Sequence, residues 1–220
     1  PTRRSSDLKG EGITRAVLWP GAGVGGHCLT KDTYHLERGV QQLGPDSLDF
    51  PEGRESLYTL ARGINDFMPT HMLHLTESAL AQVGKALKGA KIALLGWAFI
   101  NDSDDARNTP AEPFYEMARA AGAAVAVHDP WVDPETAPDV PPGLTRDLDA
   151  VLTGADAVAV FAGHKEYRVL VPGEVKALCG CMHPAIIDGR NVADPDAWIE
   201  AGFAYRGIGR GDRNGHELRD

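Results

Sequence analysis

The feature of this sequence best suited to chemistry is a cysteine at the end of a glycine run. Residues 20–32 read Pro-Gly-Ala-Gly-Val-Gly-Gly-His-Cys-Leu-Thr-Lys-Asp. Gly21, Gly23, Gly25 and Gly26 have no Cβ, so the backbone there can lie close against a ligand. Cys28 follows, with Lys31 and Asp32 one helical turn further on. A cation near a thiol favours the thiolate, the form that attacks carbon. An aspartate at that spacing suits a general base. The same residues admit a plainer reading, a glycine-rich turn before a buried and inert cysteine. Gly21-x-Gly23-x-x-Gly26 also has the spacing of a dinucleotide-binding loop, with residues 16–19 as its strand. Pro20 then separates strand from loop, and the run leads into His27-Cys28 where that loop would open a helix.

Other reactive groups are sparse. Cys179 and Cys181 are the remaining cysteines, with His183 near them. Their spacing is neither a Cys-x-x-Cys pair nor a disulfide framework, so no metal and no secreted scaffold are expected. The net charge of −9 argues against a nucleic-acid or membrane-surface binder, which needs a basic field. It leaves room for a local anion site. No apolar run is long enough to span a bilayer, and the expected compartment is the cytoplasm. The 220 residues suffice for one large domain, or for one domain and part of another.

The elements that must position the cysteine follow from apolar rhythm. A helix is expected over 32–43, then a connection over 44–53 containing Pro45 and Pro51. Residues 54–87 carry Leu57, Leu60, Ile64, Met68, Met72, Leu75 and Leu80 at helical steps, and Pro69 should break or bend that helix. From residue 88 the pattern alternates strand and helix. Residues 91–97 form a continuous apolar run, as in a buried parallel strand. Thr109-Pro110-Ala111-Glu112 starts a helix with a capping box, and Gly122 ends it. Further strands are expected at 123–128, 156–161, 185–188 and 204–208, with helices at 147–153, 171–178 and 195–201. The fold class expected is α/β, a helical segment followed by a Rossmann-like doubly wound parallel sheet. The division expected is 1–88 for the helical part and 89–220 for the sheet domain. Ligands of such sheets bind beyond the carboxyl ends of the strands. Those ends hold residues 99–107, Asp129, residues 163–165 and residues 188–191. Arg107 precedes a helix N-terminus and Arg190 follows a strand, so each suits a phosphate, or equally a surface ion pair.

Residues 20–36 resemble the catalytic-cysteine segment of the nucleotide-sugar 6-dehydrogenases, the UDP-glucose and UDP-N-acetylmannosamine dehydrogenase family. Asn65-Asp66 with Pro69 is similar to the family's Asn-Asp-x-x-Pro. Residues 90–111 resemble its Leu-Gly-x-Ala-Phe-Lys-x-x-(Thr/Ser)-x-Asp-x-Arg-x-(Ser/Thr)-Pro segment. Asp188-Gly189-Arg190-Asn191 resembles its Asp-Gly-Arg motif. Two departures stand out: Thr30 replaces a usual proline, and Ile100 replaces a lysine that contacts substrate. The resemblance implies oxidation of a sugar C6 alcohol to a carboxylate with two NAD, through a thiohemiacetal and then a thioester on Cys28. Asp32 would orient Cys28 or the attacking water. Trp19, Pro20, Gly21, Ala22, Gly23, Val24, Gly25, Phe99, position 100 and Arg190 would belong with the UDP-sugar. Lys31 and Arg107 would belong with the cofactor. Gly-Gly-His-Cys is most similar to members acting on N-acetylated sugars, with UDP-glucose the alternative. The family's nicotinamide-binding domain precedes the cysteine loop, so the resemblance implies a C-terminal portion and a homodimer through residues 54–88. A non-catalytic UDP-binding and dimerising module remains the competing expectation. A cysteine hydrolase is the third, weakened because His27 adjoins Cys28 and neighbouring side chains diverge.

Overall fold

The computed structural model describes residues 20–42, 56–135, 137 and 140–218. Trp19, the strand expected at 16–19 and the connection expected at 44–53 lie outside them. Helix α1 spans Leu29–Gln42 and helix α2 spans Leu57–Gln82. Then follow β1 (Lys91–Leu95), α3 (Ala111–Ala120), β2 (Ala124–His128), α4 (Leu148–Leu152) and β3 (Ala157–Val160). The chain continues through α5 (Lys165–Arg168), α6 (Pro172–Cys179), β4 (Ala185–Asp188), α7 (Pro195–Glu200) and β5 (Ala204–Gly207).

The five strands form one parallel sheet in the order β2-β1-β3-β4-β5. Strand residues alternate between its faces, as a period of two requires. Ile92, Leu94, Ala157, Ala159, Ala185, Ile187 and Ala204 face a core shared with Met72, Ala79 and Leu80 of α2 and Phe114 and Ala118 of α3. Ala93, Leu95, Val158, Val160, Ile186 and Tyr205 face a second core, covered by α4, α6 and α7 through Leu152, Val175 and Trp198. Helices on both faces make the sheet doubly wound. Its order reverses between β1 and β3, which sets the crevice for ligands beyond the carboxyl ends of those two strands. Gly96 (φ 94°) packs directly against Ala162 there, and no side chain would fit between the two strand ends.

Helices α1 and α5 differ from the sequence reading, and α2 takes one of the two forms it left open. Helix α1 begins at Leu29, not 32, because the Cys28 carbonyl already accepts from Lys31 N (3.0 Å) and Asp32 N (2.9 Å). Helix α2 runs through Pro69 as one element. A proline removes one ladder bond, here to the Asn65 carbonyl, while burial of Met72, Thr76, Ala79 and Leu80 on the sheet holds the helix beyond it. The four-residue α5 is too short for its period to show in sequence. Its start is held instead by Lys165 N donating to Asp102 Oδ1 (2.9 Å).

Candidate functional site

The glycine loop lies over the strand ends. Ala22 N donates to Gly189 O (2.9 Å), and Gly26 N donates to Arg107 O (2.8 Å). Asn108 Nδ2 donates to Gly26 O at 3.0 Å. Asn65 of α2 holds Val24 at both backbone groups, accepting from its N–H at 2.7 Å and donating to its carbonyl at 3.2 Å. The glycines are needed mainly for this docking. A Cβ on Gly25 would stand 2.5 Å from Asn108 O and 2.6 Å from Phe99 Cβ, and one on Gly21 would stand 2.9 Å from Gly189 O. Phe99 therefore lies under the loop. Ala22, Gly23 and Gly25 are buried, whereas Pro20 and Val24 are exposed.

The loop ends by presenting Cys28, exposed, at the amino end of α1. Thr30 Oγ1 donates to Gly26 O (2.6 Å), closing the first turn. The second position of a helix also accepts proline, so Thr30 fits where the resemblance expects one. Lys31 and Asp32 are exposed on the same turn. No hydrogen bond joins either side chain to Cys28 among the described residues. Cys179 contrasts: burial pushes its thiol up to about 12, which makes it inert.

The turn after β1 decides what the sheet can bind. In a dinucleotide-binding domain its N–H groups face a pyrophosphate. Here Trp97 N (2.7 Å) and Ala98 N (2.8 Å) both donate to Asp129 Oδ2. Oδ1 of the same carboxylate takes Trp131 N (2.8 Å) and Val132 N (3.0 Å). Burial alone would raise the Asp129 carboxyl, but His164 and the backbone donors outweigh it and hold the group below its ordinary value. His164 is fully buried. It accepts from Asp102 N at Nδ1 (2.8 Å), which leaves Nε2 to donate to Asp129 Oδ2 (3.2 Å). The donors a cofactor pyrophosphate would use are thus taken by a side chain, and the residues after β1 do not fit NAD. Lys31 and Arg107 lie on the cysteine side, outside this turn. Arg107 is exposed, with its guanidinium forked on Asp105 through Nε (2.9 Å) and NH2 (2.5 Å).

The crevice holds a cation. Arg190 donates to Asn101 Oδ1 (3.2 Å), an atom that also accepts from Gly163 N (2.7 Å). Ile100 is 47% exposed. The structure thus brings Gly21, Ala22, Phe99 and Arg190 together. Asn65 escaped the sequence reading as a site residue, whereas Asn101, Asp129 and His164 lie within the strand ends named there, without a role assigned to each. Asn65 stood in a motif, and Asp129 and His164 stood at strand ends. Nothing in the sequence marked their partners.

Residues 93–195 match the family model described as the UDP-glucose/GDP-mannose dehydrogenase family, UDP binding domain. This stretch belongs to that domain family. A UDP-N-acetyl-D-mannosamine dehydrogenase of Pyrococcus horikoshii is 36% identical over 88% of this chain and 40% of its own length. A UDP-glucose 6-dehydrogenase of Pseudomonas aeruginosa is 32% identical over 90% of this chain and 42% of its own. The crystal structure of an NDP-N-acetyl-D-galactosaminuronic acid dehydrogenase from Methanosarcina mazei superposes with a TM-score of 0.86 at 53% identity, covering 96% of this chain and 45% of that one. The chain therefore spans about two fifths of the length of the curated relatives it matches. Among the described residues no helix is long and apolar enough to cross a membrane.

Proposed function

We propose that this chain supplies the catalytic cysteine and the UDP-sugar site of an NAD-dependent UDP-sugar 6-dehydrogenase. One observation carries the reading. The cysteine loop is hydrogen-bonded onto Gly189 and Arg107, so an exposed thiol and the strand-end crevice of a UDP-binding domain share one side of the molecule. A nucleotide in the crevice would extend its sugar toward Cys28. Arg190 answers the diphosphate, and backbone from Pro20 to Gly25 lines the path, with Trp19 and Phe99 assigned to the same ligand. Lys31 and Arg107 would meet the cofactor from the cysteine side.

Cys28 attacks C6 once the alcohol has become an aldehyde. A C–S bond forms, and the carbonyl oxygen takes a proton to give a thiohemiacetal. NAD, when bound, accepts the hydride that leaves C6 in each of two oxidations. The thioester left on Cys28 is opened by water, which yields the carboxylate and returns the thiol. Sulfur serves because it is a good nucleophile and a good leaving group. Asp32, one turn into α1, is the group assigned to take the proton of the attacking water.

The substrate proposed is a UDP-N-acetylhexosamine, on the strength of His27 beside Cys28 and the likeness to the Methanosarcina chain. UDP-glucose is the alternative. The site of action proposed is the cytoplasm. For the 220 residues on their own, the function proposed is binding of UDP and self-association without turnover, because the turn after β1 is closed to NAD. The test is NAD reduction by this chain joined to a nicotinamide-binding domain. Cys28→Ala should abolish it. Cys28→Ser should stall with an oxidised intermediate bound, because an oxygen ester hydrolyses less readily than a thioester. Undiminished turnover by Cys28→Ala would remove Cys28 from the mechanism, and a higher kcat/KM for UDP-glucose would overturn the substrate assignment.

A further inference from the structure

Two guanidinium groups meet at the crevice without a carboxylate between them. Arg168, the last residue of α5, donates from Nε to Gly163 O at 3.2 Å. A Cβ on Gly163 would lie 3.0 Å from Arg168 NH2 and 3.1 Å from Asn101 Oδ1, so this arginine and Asn101 converge over the same glycine. Arg190 reaches the same Asn101 oxygen from the other side and passes within 3.5 Å of the Cβ position of Gly21. Among the described residues no carboxylate lies within ion-pair distance of either arginine. Asp188, the acid whose charge acts on Arg190, is committed to the backbone N–H groups of Arg190, Val192 and Ala193. Burial and the Arg168 charge both lower the Arg190 pKa. With no protein carboxylate on either group, both guanidiniums are left to meet an anion.

We propose that Arg168 and Arg190 form a two-guanidinium clamp for the diphosphate of the nucleotide, with Arg168 supplying the cation that Ile100 cannot. The inference rests on the UDP-sugar reading above. Lys165 is the other candidate for that charge, but its ammonium sits over the Trp131 ring at 5.0 Å from the centroid. Arginine suits the task because its planar fork pairs with two phosphate oxygens at once.

Calorimetric titration of the chain with UDP, inorganic pyrophosphate and uridine tests the clamp. Arg168→Gln should weaken UDP and pyrophosphate about tenfold or more, the scale of one charged hydrogen bond. Uridine binding should be unchanged. Arg168→Lys should lie between, and Ile100→Lys in the Arg168→Gln background should recover part of the loss. Because Arg168 is exposed, Arg168→Gln should keep the parent's melting temperature, and uridine affinity checks the crevice independently. UDP and pyrophosphate affinities of Arg168→Gln within about twofold of the parent, with Arg190→Gln still impaired, would overturn the clamp and leave the UDP-sugar reading standing. Arg168-dependent pyrophosphate binding, with UDP no tighter than pyrophosphate, would support the clamp and remove the uridine part of that reading. A parent chain that binds neither ligand would overturn both.

Discussion

Asn65 and Asp129 hold the site in different ways, and each can be tested by itself. Asn65 is half-buried on α2 and meets both backbone groups of Val24, so it acts as a clip on the loop that ends in Cys28. Asn65→Ala should cost about 1–2 kcal/mol of stability, the net worth of two such bonds. It should also change the rate at which iodoacetamide alkylates Cys28. An unchanged rate together with an unchanged melting temperature would show that the loop is held elsewhere. Asp129 is fully buried and accepts from four backbone N–H groups as well as His164. Removing it leaves those donors without an acceptor. Asp129→Ala should therefore cost about 3–5 kcal/mol in urea denaturation, and a loss under about 1 kcal/mol would contradict the account.

The same network gives a signed dependence on pH. Burial holds His128 below its ordinary value, against the pull of the Asp129 charge. Its ring and carbonyl are both engaged by Tyr167 OH, at 2.9 and 3.0 Å. Between the lowered folded value and the ordinary 6.5, the unfolded chain binds the proton better. The contribution of His128 is therefore complete above 6.5 and declines as pH falls below it. Asp129 is held low, so its contribution declines only below 3.8. The melting temperature should fall in two stages on acidification, and His128→Gln should flatten the upper one. The same upper stage in His128→Gln would assign it to another group.

At the scale of elements, the sequence shows most clearly what is periodic or chemically unusual. The sheet was legible because buried parallel strands read as apolar runs. The expected strand at 185–188 coincides with β4 as formed, and the helix starting after Asp147 is capped by that side chain at 3.1 Å. The glycine loop was legible as a place of close approach. What it approaches was not, because Phe99, Asn108 and Gly189 are brought to it by the fold and are distant in sequence. Pro69 left one helix or two open for a related reason. Its cost is local, whereas the burial that offsets it comes from a sheet that begins more than twenty residues later. The closure of the β1 turn by Asp129 is a contact across 31 and 32 positions, and no local pattern announces it.

At the scale of the whole molecule, α2 divides into two halves of different character. Its second half is buried on the sheet, whereas Leu57, Leu60, Ile64 and Phe67 on its first half are at least half exposed. Their spacing of three and four residues puts them on one stripe. This stripe is the surface proposed for self-association. Phe67→Glu should convert a dimer to a monomer in analytical ultracentrifugation and leave UDP affinity unaltered. A parent chain that is already monomeric at high concentration would exclude the stripe from that role.

The strand ends are proposed to receive a uridine diphosphate and to be closed to a nicotinamide dinucleotide. Parallel calorimetric titrations of the 220-residue chain with UDP and with NAD test it most directly. Saturable UDP binding, weakened by Arg190→Gln, is expected, with no measurable heat from NAD. Tight NAD binding without UDP binding would contradict it, because the Asp129 carboxylate would then have to yield the very donors that close the turn.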